Sequence, residues 1–96
     1  MKTIEMLRER RGLIVDIAAR HGAMNVRIFG SVARGDETGK SDIDFLVAME
    51  PDRNLYDLVG LQQDIENLLG RKADVITENS INRYLKERIL REAVPL

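Results

Sequence analysis

The spacing of apolar residues predicts a helix at each end of the chain, with strands between them. A first helix is predicted from Thr3 to about Arg20, although Gly12 is unfavourable within an unbroken helix. Its apolar residues near one face are Ile4, Leu7, Ile14, Ile17 and Ala18. The next turn, His21-Gly22-Ala23, places Gly22 where helices commonly end, and we expect His21 to act as a cap there.

Two strands are predicted to follow this helix. Asn25 to Phe29 is short, rich in strand-forming residues and stops at Gly30. Asp42 to Met49 is the stronger strand, because its residues alternate between two faces. One face contains Ile43, Phe45 and Val47, and the other contains Asp42, Asp44, Leu46 and Ala48. Pro51 and its neighbours end this strand.

The second half of the chain predicts helix, strand and helix. Asn54 and Asp57 have the spacing of a capping box at the start of a helix that Gly70 closes. Ala73 to Thr77 is predicted as a third strand. A final helix is expected after a cap at Asn79 or Ser80, with Pro95 past its end; its apolar positions are Ile81, Leu85, Ile89 and Ala93.

The predicted order α-β-β-α-β-α indicates an α/β (α+β) fold with a small mixed sheet and helices packed on it. At 96 residues, without repeats or linkers, the chain is expected to form one domain over residues 1–96. We expect a cytoplasmic protein, because the N-terminus is too charged for a signal peptide and no apolar run approaches a membrane span.

Composition narrows the chemistry. There is no cysteine, which excludes disulfides, thiolate metal sites and cysteine nucleophiles. The net charge of −1 argues against direct nucleic-acid binding. The acidic residues are nevertheless unevenly distributed along the chain, since residues 36–78 contain eleven of the 16 acidic side chains. The acidic middle of the chain therefore contains the candidate chemistry.

Two carboxylates in the second strand form the first candidate site. Asp42 and Asp44 are two residues apart, so both side chains leave the same face of a strand. Their Cα atoms are expected to lie about 6–7 Å apart, within reach of one divalent cation. The alternative is that Asp42 turns the chain at the strand entrance while Asp44 faces solvent.

Asp74 is the third candidate carboxylate. It lies in the short apolar strand Ala73 to Thr77, an unfavourable place for an unpaired charge. If this strand neighbours the Asp42–Asp44 strand, the three carboxylates form one cluster. Oxygen ligands without nearby His or Cys favour Mg²⁺ or Mn²⁺ over zinc.

A phosphate-binding turn is predicted directly after the first strand. Gly30 allows a phosphate to approach the backbone, and the N–H groups and hydroxyl at Ser31 offer donors, although an ordinary turn has the same composition. The segment from Gly35 to Ser41 resembles a P-loop only superficially. It has three residues between its glycines where four are required, and it leads into a strand.

Together these residues resemble a known family. Gly30-Ser31, ten residues and then Asp42-Ile43-Asp44 resemble the signature of the DNA polymerase β-like nucleotidyltransferases. Two segments are similar to the minimal nucleotidyltransferase (MNT) group within that superfamily, namely FGSVARGDETGKSDIDFLV and the C-terminal ERILREAVPL.

The resemblance implies the nucleotidyltransferase fold and a mechanism. Asp42 and Asp44 would bind two Mg²⁺ ions (or Mn²⁺) with the triphosphate of ATP, and Asp74 would assist a metal and activate the acceptor hydroxyl. Gly30 and Ser31 would hold the β- and γ-phosphates. Arg34 and Lys40 flank this site, where they either assist the triphosphate or are surface residues.

The resemblance also implies a partner, because 96 residues leave no room for an acceptor-binding domain. MNT proteins of this size resemble antitoxins of HEPN-family toxins and act by adenylylating (AMPylating) a tyrosine of the toxin. A hetero-oligomer is therefore expected, or a homodimer. The alternative is a non-catalytic antitoxin of the same fold that neutralises its HEPN partner by binding alone.

Overall fold

The computed structural model describes residues 2–96 as five helices and four strands. In chain order they are α1 (Thr3–Glu9), α2 (Arg11–Arg20), β1 (Ala23–Phe29), α3 (Gly30–Arg34), β2 (Ile43–Met49), α4 (Leu55–Leu69), β3 (Ala73–Thr77), α5 (Arg83–Glu92) and β4 (Val94–Pro95). A 3₁₀ turn, Glu78–Ser80, lies between β3 and α5.

The strands form one mixed sheet in the order β3-β2-β1-β4. β1 runs antiparallel to both β2 and β4, whereas β2 and β3 are parallel and are connected through α4. Parallel neighbours require such a crossover. The predicted α/β fold with a small mixed sheet is confirmed.

The apolar core lies between the sheet and helices α1, α2 and α4. Ile14 and Ile17 of α2 are buried on the helix face that the sequence spacing predicts, and Leu61 and Ile65 of α4 are buried against the same core. In the central strand β2, three successive side chains are buried, namely Phe45, Leu46 and Val47. Both faces of this strand are therefore covered.

Two predicted boundaries are wrong. The first helix is two helices that meet at Arg10, whose backbone is not helical (φ −98°, ψ 13°). The last helix begins at Arg83 after the cap Asn82, because Glu78–Ser80 is used by the 3₁₀ turn. Pro95 lies past the end of that helix, as predicted, and pairs with Arg27 in the edge strand β4, which the sequence patterns did not predict.

Other local predictions are confirmed. Gly22 follows the C-cap His21 with φ +77°, and Gly70 ends α4 in the left-handed region. His21 also approaches Asp64 on α4, with 2.7 Å between Nε2 and Oδ2. None of the helices within residues 2–96 is long and apolar enough to cross a membrane.

The N-terminus of α4 contains the predicted capping box. The Asn54 side chain accepts the N–H of Tyr56 at 2.9 Å, and the Asp57 carboxylate accepts the N–H of Asn54 at 3.1 Å. This backbone hydrogen bond, supported by Arg53, holds the pKa of Asp57 below its ordinary value. The ionised form of Asp57 therefore stabilises the fold.

We predict that Asp57→Ala lowers the melting temperature at neutral pH and that this deficit shrinks in acid. Because the folded pKa is depressed, the contribution is fully present above the unfolded pKa of about 3.9 and is lost as pH falls through the folded value. Thermal unfolding of wild type and variant from pH 7 downwards tests this. Asp52→Ala, at an exposed position in the preceding turn, is the control. A deficit that stays constant with pH would contradict the assignment.

Candidate active site

The strand register places Asp44 at the centre of the candidate site. Asp44 pairs with Phe29 of β1 on one side and with Asp74 of β3 on the other. Asp74 is expected to join the cluster only if its strand neighbours that of Asp44. β3 is the direct neighbour of β2, and the register aligns Asp44 with Asp74. Gly30 and Ser31 follow Phe29 at once, so the glycine-serine turn begins at the same edge of the sheet.

Asp44 lies in an environment that disfavours its charge. Burial, the facing charge of Asp74 and the charge of Asp42 raise its pKa above the ordinary value, while Arg34 acts in the opposite direction. Like charges directly opposite each other in a sheet are destabilising. A cation between these groups would remove that cost, which is the electrostatic signature expected of a cation-binding carboxylate pair.

Gly30 is required by the close approach of Asp44. Its φ of +75° lies in the left-handed region, and a Cβ at this position would overlap Oδ2 of Asp44 and lie 3.1 Å from its Cγ. A side chain at residue 30 would thus displace the carboxylate. Ser31 comes next, half-buried in the first turn of α3.

Asp42 is placed differently from the other two carboxylates. It is exposed and lies just before β2, not within it as predicted, although its charge still acts on Asp44. Within residues 2–96, no three acidic or histidine side chains already stand at metal-binding distance from one point. The structure therefore brings Asp44, Asp74 and Gly30 together and leaves Asp42 at the rim.

Glu92, at the end of α5, is a site residue that the sequence patterns did not indicate. Its Oε1 accepts the N–H of Gly30 at 2.7 Å and an Nη1–H of Arg34 at 2.8 Å. Arg34 also donates to Asp36 at 3.1 Å. Arg34 is thus tied by two acidic partners beside the turn, whereas Lys40 is exposed in the loop before β2.

Two clefts lie near the ends of the sheet. A small cavity of about 210 Å³ is lined by Gly30, Arg34, Arg88 and Glu92 and lies beside the candidate site. A larger cleft of about 510 Å³ lies at the other ends of β2 and β3, lined in part by Met49, Leu58 and Thr77. None of the predicted site residues lines the larger cleft. The candidate site is therefore the end of the sheet where Asp44 and Asp74 are aligned.

We predict that Gly30→Ala destabilises the fold more than Gly35→Ala does. Gly35 has a similar φ of +80° but nothing within 4 Å of an added Cβ. The left-handed backbone alone costs about 1–2 kcal/mol in each variant, and displacing Asp44 adds a further ~1–3 kcal/mol at residue 30. Urea unfolding measures both. Equal losses in the two variants would show that the approach of Asp44 to Gly30 is not constrained.

We also predict that Asp74→Asn stabilises the metal-free chain at neutral pH, by about 0.2–1 kcal/mol, because it removes the charge facing Asp44. The gain should be lost as the pH falls through the raised pKa of Asp44, because the Asp44 carboxyl group is then neutral and no longer repels the residue opposite it. Urea unfolding in the presence of a chelator measures it. Asp52→Asn, at an exposed site away from the cluster, should show no such gain. A loss of stability in Asp74→Asn would contradict the repulsion.

Comparison with known proteins identifies the family of the chain. A family profile described as "Nucleotidyltransferase domain" matches residues 5–96. MJ0435 of Methanocaldococcus jannaschii, named as a candidate protein adenylyltransferase, is 44% identical over 88 residues, which cover 92% of this chain and 95% of that protein. Protein adenylyltransferase MntA of Thermococcus cleftensis is 32% identical over 79 residues, covering 82% and 80%.

Solved structures give the same result. A candidate minimal nucleotidyltransferase superposes with a TM-score of 0.87 at 48% identity, covering 96% of this chain and 94% of that one. The structure of a tri-AMPylated Shewanella oneidensis HEPN toxin in complex with its MNT antitoxin has a TM-score of 0.69 at 16% identity, covering 92% and 69%, and supports the fold alone. The chain therefore belongs to the nucleotidyltransferase domain family, and its fold is that of the minimal nucleotidyltransferases.

Proposed function

We propose that this protein transfers AMP from ATP to a tyrosine hydroxyl of a HEPN-family toxin and thereby acts as its antitoxin. The observation that carries the proposal is the alignment of Asp44 with Asp74 directly beside the Gly30 turn. The names of the relatives, protein adenylyltransferases, support adenylyl transfer to a protein. The class of partner is proposed by analogy with the MNT–HEPN complex, whose toxin is AMPylated and with which this chain shares its fold.

The donor set fits a hard divalent cation. The groups at this end of the sheet are carboxylates, the central one is crowded by like charge, and Gly30 has no side chain that would displace it. Asp42 and Asp44 would hold Mg²⁺, or Mn²⁺, with Asp74 completing the set. When bound, the ion neutralises the charges of the carboxylates and the triphosphate and stabilises the charge that develops during transfer.

The remaining residues would orient the nucleotide and manage one proton. The N–H of Gly30 is bonded to Glu92, so the turn would present the backbone N–H groups that follow Gly30, together with the Ser31 hydroxyl, to the β- and γ-phosphates. Asp74, exposed at the edge, would accept the proton of the acceptor hydroxyl. The acceptor oxygen then bonds to the α-phosphorus as the bond to the bridging oxygen breaks, and pyrophosphate leaves with that oxygen.

Transfer from labelled ATP tests this function. With Mg²⁺ and a HEPN-family protein as the acceptor, the wild-type chain should label that protein from ATP carrying the label in the α-phosphate, but not from γ-labelled ATP. Asp42→Asn combined with Asp44→Asn should reduce labelling more than about 100-fold, beyond the loss typical of changes outside a metal's direct ligands. A chelator should abolish labelling, and a Tyr→Phe change in the acceptor should remove it.

The matched control is Asp52→Asn, which changes an acidic side chain outside the cluster. It should label the partner as the wild type does. Labelling that persists in the double variant would contradict the assignment of the site. A tight complex with the HEPN protein without any transfer would contradict the enzymatic function and favour an antitoxin that acts by binding alone.

A further inference from the structure

We propose that Glu92 is a positioning residue of the nucleotide site, which holds the Gly30 peptide and the Arg34 guanidinium in place for the triphosphate. The inference rests on the proposed function and extends it to the C-terminal segment. Glu92 lies 62 residues after Gly30 in the chain, yet its carboxylate accepts the Gly30 N–H at 2.7 Å.

The register of the edge strand explains why these residues meet. β4 pairs antiparallel with β1, and Ile28 faces Val94. Extending that register by two residues in each strand places Gly30 opposite Glu92. The junction is fixed on the other side as well, because the buried Leu96 donates its N–H to the carbonyl of Val26 at 3.1 Å. Glu92 is therefore held where α5 ends and the sheet begins.

Helix α5 contributes little else to the body of the protein. None of the residues Arg83–Glu92 is buried, and Tyr84 and Leu85 are 80% and 48% exposed. The side chain of Glu92, by contrast, is only 20% exposed. A carboxylate at a helix end would ordinarily remain in solvent. The low exposure of the Glu92 side chain is explained by its two hydrogen bonds, to Gly30 and to Arg34 beside the proposed phosphate turn.

Glu92 orders the start of the proposed phosphate turn and the cation beside it. Its bond to Gly30 fixes the peptide at the start of the turn, in the left-handed conformation that Asp44 requires. Its ion pair with Arg34 holds a cation at the edge of the small cavity that Gly30 also lines. Ordering these groups before the nucleotide arrives lowers the entropic cost of binding.

The test separates nucleotide affinity from stability. Glu92→Ala should raise the Kd and KM for MgATP about tenfold, since a hydrogen bond to a charged group typically contributes that much or more, and should change kcat much less. Glu92→Gln keeps an acceptor for the Gly30 N–H and loses the ion pair, so its Kd should lie between those of the wild type and Glu92→Ala. The Kd is measured by titration of the chain alone, without the partner.

Leu96→Ala is the matched control. It removes buried apolar contact from the same C-terminal segment and should lower thermal stability, but it leaves Gly30 and Arg34 untouched and should bind MgATP as the wild type does. A purely structural role of Glu92 predicts parallel behaviour of Leu96→Ala and Glu92→Ala. A positioning role predicts a loss of affinity in Glu92→Ala only.

Three outcomes would overturn the inference. Unchanged affinity in Glu92→Ala, with wild-type binding and transfer intact, removes the positioning role and leaves the proposed function standing. Tighter binding in Glu92→Ala and Glu92→Gln would mean that the carboxylate competes with phosphate. A wild-type chain that binds no MgATP overturns both proposals. As an independent readout, the amide resonance of Gly30 should shift in Glu92→Ala and much less in Glu92→Gln.

Discussion

The parallel pairing of β2 with β3 is the constraint on which the candidate site depends. It aligns Asp44 with Asp74, so two carboxylates face each other at one edge of the sheet. The raised pKa of Asp44 records the cost of that arrangement, which arises first from burial and then from the neighbouring charges. The fold tolerates this cost because apolar side chains anchor the strand beyond Asp44; Phe45, Leu46 and Val47 are all fully buried. Strain at functional groups is commonly offset by such surrounding structure.

The site is assembled from both sides of this strand. On the β3 side, α4 supplies the crossover that makes parallel pairing possible. On the β1 side, Gly30 turns the chain so closely against Asp44 that no side chain fits. Glu92 then ties the last helix to the same turn. The small sheet thus brings residues that are far apart in the chain together at one end of its strands.

Much of the fold and the core of the site followed from local patterns. The two-residue spacing of Asp42 and Asp44 and the glycine-serine turn are local, and so is the capping box at Asn54. Each depends on side chains close together in sequence, where spacing determines geometry. The predictions that the structure did not confirm also have physical reasons. Arg10 interrupts a helix whose apolar spacing continues across it, and Leu85, predicted at an apolar position of the last helix, is 48% exposed on α5. Whether an apolar side chain is covered depends on the neighbour that reaches it.

Local patterns in the sequence thus predicted the kind of chemistry, namely oxygen ligands without thiolates and a turn compatible with phosphate. The pairing of the strands in the folded chain determines which carboxylates meet. Asp74 could be assigned only conditionally, because the order of strands in a sheet is not a local property. Glu92 could not be assigned at all. The strand that positions it, Val94–Pro95, is two residues long, and so short a strand has no periodicity of its own. Its pairing with β1 exists because β1 offers an open edge, and an edge exists only once the sheet has formed.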